Sequence, residues 1–466
     1  MAQIGTQANP LRVAIVGAGP TGFYAADALL KEKDIVVAVD MYDRLPTPYG
    51  LVRFGVAPDH QKIKSVIKAY ARTAARPEFR FFGYVEFGKD FSLADLKQHY
   101  HQVIFTTGAQ SDRKMGIPGE DLANSHPATE FVAWYNGHPD YRDRDFDLSV
   151  ESVAVVGVGN VAMDVTRILS KTADELAETD IADHALEALR RSQVKTVYVL
   201  GRRGPAQAAF TNPEIKELGE LAETEVIVPA DECQLDPLSQ EDLDKNPDRA
   251  TLQKIEIIQS YAQRQAEGKS RKIVLRFLVS PVELIGDEHG KVKAMRLVKN
   301  ELERASNGTL RPHPIEAYEE IPVGLVFRSV GYRGIPLPEV PFNDRWGVIH
   351  NDLGRVLDPE TNEPVIGVYT AGWVKRGPTG VIGTNKPCAV ETVGSMLEDL
   401  AAGKHFEPAH PEPEAIQKLI KERQPKYVSF EDWLKLDELE TAMGEEYGRP
   451  RIKFTRVEEM LAALGR

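Results

Sequence analysis

Cysteine is scarce in this 466-residue sequence: there are two, Cys233 and Cys388, far apart and without metal-ligand spacing. That excludes a disulfide framework, a cysteine-ligated iron–sulfur cluster and a C-x-x-C redox pair, and it suits a reducing cytosol. Long apolar runs are missing as well. No stretch approaches the roughly 18 consecutive apolar residues that a membrane-spanning helix needs. The opening MAQIGTQANPLR has neither an apolar signal core nor an Arg-rich amphipathic pattern, so a cytoplasmic protein without a targeting segment is expected. Nor is there a surplus of positive charge. Lys and Arg number 57 against 70 Asp and Glu, a net charge of −13, which argues against general binding to nucleic acid or an anionic membrane and leaves room only for a local basic patch. No coiled-coil heptad is sustained, and a monomer is expected. The composition is that of a globular chain, 42% hydrophobic and 27% charged, long enough for about two to three domains.

What the chain does have is a glycine grammar stated twice. In VAIVGAGPTG a short apolar strand (Val13–Val16) runs into Gly17, Gly19 and Gly22, and FYAADALL continues with helical character. Gly17 permits the tight turn, Gly19 admits a pyrophosphate to the backbone, and Gly22 lets helix and strand lie close. The pyrophosphate is expected at the helix N-terminus. Asp43 closes the next apolar strand about 20 residues on, where a ribose hydroxyl needs a carboxylate. ESVAVVGVGNVAMDV repeats the pattern with Gly157, Gly159 and Ala162, so two dinucleotide sites are expected. In the second unit, strand Thr196–Leu200 leads into GRRGP. Arg202 and Arg203 at that strand end suit a 2′-phosphate and hence NADP, with a solvated surface pair as the alternative.

Several stretches between these motifs carry candidate chemistry. Pro58 and Asp59 suit the first turn of a helix running through Ile63, Val66, Ile67 and Tyr70, with His60 at its beginning. Strands are expected at Phe81–Phe87, Val103–Thr106, Ile273–Val279, Val292–Asn300, Leu325–Val330 and Val365–Thr370. Glu214 and Glu217 lie one helical turn apart and can share a face, solvated charge being the plainer reading. GWVKRGPTGVIGTNKP, with glycines at 372, 377, 380 and 383, lets backbone approach a flat ligand, and Trp373 is available to stack. In the tail, Ser429 with Asp432 and Thr455 with Glu458 read as helix caps.

LPTPYGLVRFGVAPDH, GVGNVAMDV, GRRGPAQAAFT, RSVGYRG, GWVKRGPTGVIGTN and SFEDWLKLD together make a recognisable set. The sequence closely resembles ferredoxin-NADP reductases of the adrenodoxin reductase type, over nearly its whole length. The wider flavoprotein superfamily usually has an aspartate where this chain has Trp373. The resemblance implies an α/β fold of two Rossmann-like dinucleotide-binding domains, the NADP domain (109–330) inserted into an FAD domain (1–108 and 331–466, with a helical extension over 404–466). By the same likeness Gly17, Gly19, Pro20 and Gly22 hold the FAD pyrophosphate, and Asp43 stands where relatives commonly have glutamate. Leu51, Trp373, Gly380, Val381 and Ile382 fall at the flavin. Gly159, Asn160, Val161, Arg202, Arg203 and Glu214 fall at NADP(H), and His60 and Glu217 match a pair near the redox centre.

The implied activity is NADPH:ferredoxin oxidoreduction: hydride from NADPH to FAD, then single electrons to a ferredoxin-type iron–sulfur protein. His60, whose ordinary pKa is about 6.5, and Glu217 are expected to relay a proton or hold charge. Ferredoxins are usually acidic, so a basic docking face is expected, with Lys269–Arg276 or Arg113 and Lys114 as candidates. The competing readings are an NADPH-dependent FAD reductase acting on a quinone or other small acceptor, and a silent NADP(H)-binding protein.

Overall fold

The computed structural model describes residues 3–265 and 267–466. The chain divides into two units, Met1–Val56, His60–Ser111 and Gly331–Arg466 forming the first, Ala57–Asp59 with Asp112–Val330 the second.

In the first unit, strand Leu11–Val16 is buried at every position, as a strand covered on both faces must be. It lies between Gln102–Phe105 and Val37–Asp43, both parallel to it. Phe79–Gly83 flanks the latter, and Pro364–Thr370 with two short antiparallel strands completes seven. From Leu11–Val16 the chain first adds strands on one side and then returns to the other. That reversal opens a crevice at the strands' carboxyl ends, where ligands of such sheets bind. Helix Pro20–Leu30 starts there, with Pro20 in its first turn and Gly19 extended at the N-cap.

The second unit repeats this arrangement. Ser152–Val156 lies between Leu325–Arg328 and Thr196–Leu200 in a six-stranded parallel sheet, and helix Asn160–Ser170 follows the glycine turn. An antiparallel sheet of Val279–Gly286, Val292–Arg304 and Leu310–Pro322 is added to it.

Several elements depart from the sequence expectation. The strand expected at Phe81–Phe87 ends at Gly83, because Tyr84 turns to φ 60°. Ile273–Val279 is two strands, Arg271–Arg276 and Val279–Gly286, separated where Leu278 adopts φ 54°. Pro58 and Asp59 do not open a helix. The expected single helix is instead Gln61–Lys64 followed by Ile67–Ala74. Leu310–Pro322 is a strand that the sequence patterns do not indicate; its Pro312, Pro314 and charged residues are tolerated because the strand lies at a sheet edge. Ser429 and Asp432 form a full capping box, whereas Arg456, not Thr455, holds the N-cap position of Val457–Ala463.

The first unit also buries charge. Asp40 accepts from Arg12 at 2.6 Å, Arg80 at 2.7 Å and Tyr100 at 2.6 Å. Burial alone would raise its pKa, but bonds from Arg80 and the charge of Arg12 outweigh that and hold it low. Beside it, the Arg12 N–H donates to Nδ1 of buried His101 at 2.9 Å, so that nitrogen carries no proton. Burial, with help from His405 and Arg12, pushes the His101 pKa down to about 4. The unfolded chain therefore takes up this proton first as pH falls, and stability contributed near neutrality is lost between about pH 6.5 and 4, on the order of 2–3 kcal/mol. Urea midpoints at about pH 7 and about pH 4.5 are expected to differ less in His101→Gln than in the wild type.

Candidate functional sites

In the first unit the backbone is packed as closely as it can be around Gly17 and Gly22. A Cβ on Gly17 would lie 2.8 Å from the Thr106 carbonyl, and one on Gly22 would lie 2.2 Å from the Gly17 carbonyl oxygen. At Gly19 an added Cβ would meet nothing within 4 Å. Open space thus faces the helix N-terminus, whose first N–H groups have no acceptor within the helix, and this cradle fits a pyrophosphate. Asp43 sits under the same turn, accepting from the Ala18 and Leu45 N–H groups, each at 2.9 Å. Burial raises its pKa against those bonds.

The segment after strand Pro364–Thr370 reaches the same helix. A Cβ on Gly372, at φ 78°, would strike Thr21 Oγ1 at 2.3 Å. Trp373 follows, stacked on Tyr332 with centroids 5.9 Å apart and planes 14° from parallel. Arg376 braces the next loop through Thr379 Oγ1 (2.7 Å), Thr384 Oγ1 (3.1 Å) and Asn385 Oδ1 (3.0 Å). Gly380 and Val381 are exposed on that loop, Ile382 is half-buried, and Leu51 is exposed on the Tyr49–Phe54 turn. Trp373 Nε1 and Thr47 Oγ1 are buried with no hydrogen-bond partner among the described residues, a condition a polar flat ligand relieves. His60 occupies the N-cap position of Gln61–Lys64.

In the second unit Gly157, at φ 129°, is pressed against the Ser329 carbonyl, while Gly159 again faces open space. Asn160 Oδ1 accepts the Thr211 N–H at 2.9 Å, and the Val158 carbonyl accepts from Ala209 and Phe210. These bonds tie helix Asn212–Leu218 to the glycine turn. Val161 is half-buried beside it. Arg202 and Arg203 emerge from strand Thr196–Leu200, their carbonyls held by Asn300 Nδ2 and the Leu278 N–H. Arg202 is exposed, and among the described residues neither guanidinium has a carboxylate partner. Burial and then the neighbouring Arg202 lower the Arg203 pKa. Two adjacent cations without an acid fit a phosphate dianion.

The residue that sequence reasoning missed is Arg167. It is 1% exposed and reaches Asp59 through Nε (2.7 Å) and Nη2 (3.1 Å), Asp164 (2.7 Å), Glu214 (3.1 Å) and Glu217 (3.5 Å). Its signal was an arginine inside the apolar stretch of VTRIL. Glu214 and Glu217 do share a face, and Arg167 is what that face meets. Asp59 also takes Lys171 at 2.9 Å. Burial would raise the Asp59 pKa, but Arg167 and Lys171 outweigh it and hold the carboxyl well below its usual range. This pull on Asp59 explains why Pro58 and Asp59 do not start a helix.

The Lys269–Arg276 group is not a free basic face. Arg271 donates to the Ser170 and Lys171 carbonyls, Lys269 to the Leu221 carbonyl, and Arg276 is buried against Glu232 and Glu319. Only Lys272 of the four is exposed. Lys114 pairs with Asp121 at 2.7 Å. Because Arg167 is surrounded by four acids, Arg167→Met removes the buried cation they share and is expected to lower stability by about 3–5 kcal/mol, measured as a drop in the urea midpoint.

Residues 11–197 match the pyridine nucleotide-disulphide oxidoreductase family. NADPH-ferredoxin reductase FprA of Mycobacterium leprae (strain TN) is 46% identical over 454 residues, 96% of this chain and 97% of that one. The mitochondrial NADPH:adrenodoxin oxidoreductase of Arabidopsis thaliana is 39% identical over 465 residues, 98% and 95% of the two chains. The solved structure of Mycobacterium tuberculosis FprA in complex with NADPH superposes with a TM-score of 0.91 at 44% identity, covering 98% of this chain and all of the other. With that identity sustained from end to end, and with both glycine turns built as a dinucleotide requires, the chain belongs to the NADPH-ferredoxin reductases of the adrenodoxin reductase type.

Proposed function

We propose that this chain is an NADPH:ferredoxin oxidoreductase that binds FAD in its first unit and NADPH in its second, and delivers single electrons to a ferredoxin-type iron–sulfur protein. The observation that carries this reading is the contrast between the two cradles. One has a carboxylate, Asp43, beneath its glycine turn; the other has Arg202 and Arg203 without an acid. FAD, when bound, supplies the conversion between a two-electron donor and a one-electron acceptor.

The chain's own residues bind, orient and manage charge. Gly17, Gly19, Pro20 and Gly22 present backbone to the FAD pyrophosphate. Leu51, Trp373, Gly380, Val381 and Ile382 line the flavin, where Gly380 admits a flat ring and Trp373, held by Tyr332, shields it from water. Gly159, Asn160 and Val161 receive the NADPH pyrophosphate, and Arg202 and Arg203 take the 2′-phosphate. Glu214, held by Arg167, orients the nucleotide. His60 and Glu217 hold or move protons at their imidazole and carboxylate. The protein acts as a monomer in the cytoplasm; among the described residues no helix is long and apolar enough to cross a membrane.

An anaerobic titration followed by flavin absorbance is expected to show bleaching at near-stoichiometric NADPH and a far weaker response to NADH. Arg202→Ala and Arg203→Ala each remove a charged hydrogen bond of about 1.5–3 kcal/mol, which lowers kcat/KM for NADPH roughly 10- to 100-fold and leaves NADH nearly unchanged. Bound flavin that NADPH does not reduce would overturn the reading, and equal turnover with quinones and ferredoxins would replace the proposed acceptor. His60→Gln is expected to change the pH profile of flavin reduction in stopped-flow; an unaltered profile removes His60 from the proton path.

A further inference from the structure

Helix Phe430–Glu445 lies far along the chain from the glycine turn of its own unit, yet it carries a fully buried acid. Glu440 is 0% exposed. It accepts a bidentate fork from Arg53, at 2.7 and 2.5 Å, and also takes the Phe454 N–H at 2.9 Å and Arg451 at 3.3 Å. Arg53, itself buried, lies 5.1 Å over the Trp433 ring, and its carbonyl accepts from Lys453 Nζ at 3.2 Å. Trp433 and Glu440 are two turns apart on one helix face, and Trp433 meets Tyr49 edge-on at 5.7 Å.

Tyr49 is held at φ 84°, a region a bulky residue keeps only when its surroundings enforce it. Its N–H donates to the Ala18 carbonyl at 2.8 Å. Gly50 follows at φ 46°, where a Cβ would lie 2.9 Å from the Gly19 Cα. The Gly50 carbonyl accepts from Arg53 and Phe54, closing a turn that leaves Leu51 exposed. The Tyr49–Phe54 turn is therefore wedged between the glycine cradle on one side and helix Phe430–Glu445 on the other.

We infer that Glu440, with Trp433, is a positioning residue for the flavin site: by holding Arg53 it fixes the Tyr49–Phe54 turn, and so sets where Gly50 meets the pyrophosphate turn and where Leu51 stands beside the flavin. This rests on the assignment of FAD to the first unit. Apolar packing alone would dock the helix at least as firmly, since a buried ion pair adds little net stability over a hydrophobic pair. What the bidentate fork adds is a fixed distance and rotation.

The test uses the full chain and three substitutions, Glu440→Gln, Trp433→Phe and Leu436→Ala. Leu436 is buried on the same helix, and its truncation loosens packing while leaving both charged partners of the Arg53–Glu440 fork in place. Glu440→Gln is expected to weaken FAD retention roughly tenfold, the scale of one charged hydrogen bond, and Trp433→Phe roughly threefold, the scale of a weakened cation–π contact. They are also expected to shift the visible flavin bands and to slow reduction at saturating NADPH while leaving the KM for NADPH unchanged. Leu436→Ala is expected to lower the melting temperature with wild-type FAD retention and spectrum. If Glu440→Gln behaves like Leu436→Ala, the positioning role is overturned while the reductase reading stands. A wild-type protein that takes up no FAD would overturn both.

Discussion

The structure depends on backbone lying against backbone at two glycine turns. Thr106 and Gly17 in the first unit, and Ser329 and Gly157 in the second, bring carbonyls to within a distance that no Cβ permits. That closeness turns the following helix N-terminus toward the carboxyl end of the sheet, at the point where strand order reverses. The donors of the first helical turn are then left facing open space at Gly19 and Gly159, which is the electrostatic form of a pyrophosphate site.

Buried charge does much of that placing. Apolar contact between helices and sheets is tolerant of small slides, whereas an arginine fork fixes both distance and angle. Asp40 joins three neighbouring elements through Arg12, Arg80 and Tyr100. Arg276 binds Glu232 and the edge strand's Glu319. Arg167 gathers four acids, among them both candidate acids of helix Asn212–Leu218. In each case desolvation is offset by several hydrogen bonds and not by one. The exceptions are informative: among the described residues Arg202 and Arg203 have no carboxylate partner, which suits the phosphate proposed for them.

Glycine is used in two opposed ways along the chain. Gly17, Gly22, Gly157 and Gly372 are required because neighbouring atoms fill the place of a side chain, while Gly19 and Gly159 leave room for an occupant. The G-x-G-x-x-G spacing contains both kinds, and the tertiary contacts tell them apart. Ala162 in the second motif shows the difference: it is fully buried, so a methyl group is accommodated there where Gly22 has no room for one.

The amino-acid sequence by itself determined the two strand–turn–helix units, strand Thr196–Leu200, the arginine pair that ends it and the Ser429–Asp432 cap, because each is written in residues only a few positions apart and acts through local backbone geometry. Its motifs also sufficed to recognise the family. Tertiary structure decided the rest. Leu310–Pro322 is a strand because a hairpin partner pairs it, against its prolines. Asp59 leaves its expected helix because Arg167 and Lys171 draw it away, and Lys269, Arg271 and Arg276 of the basic run are spent on carbonyls and acids within their own unit. Arg53 and Glu440 are 387 residues apart. The partner of a buried charge is set by which distant segments the core brings together, and local spacing carries no record of that choice.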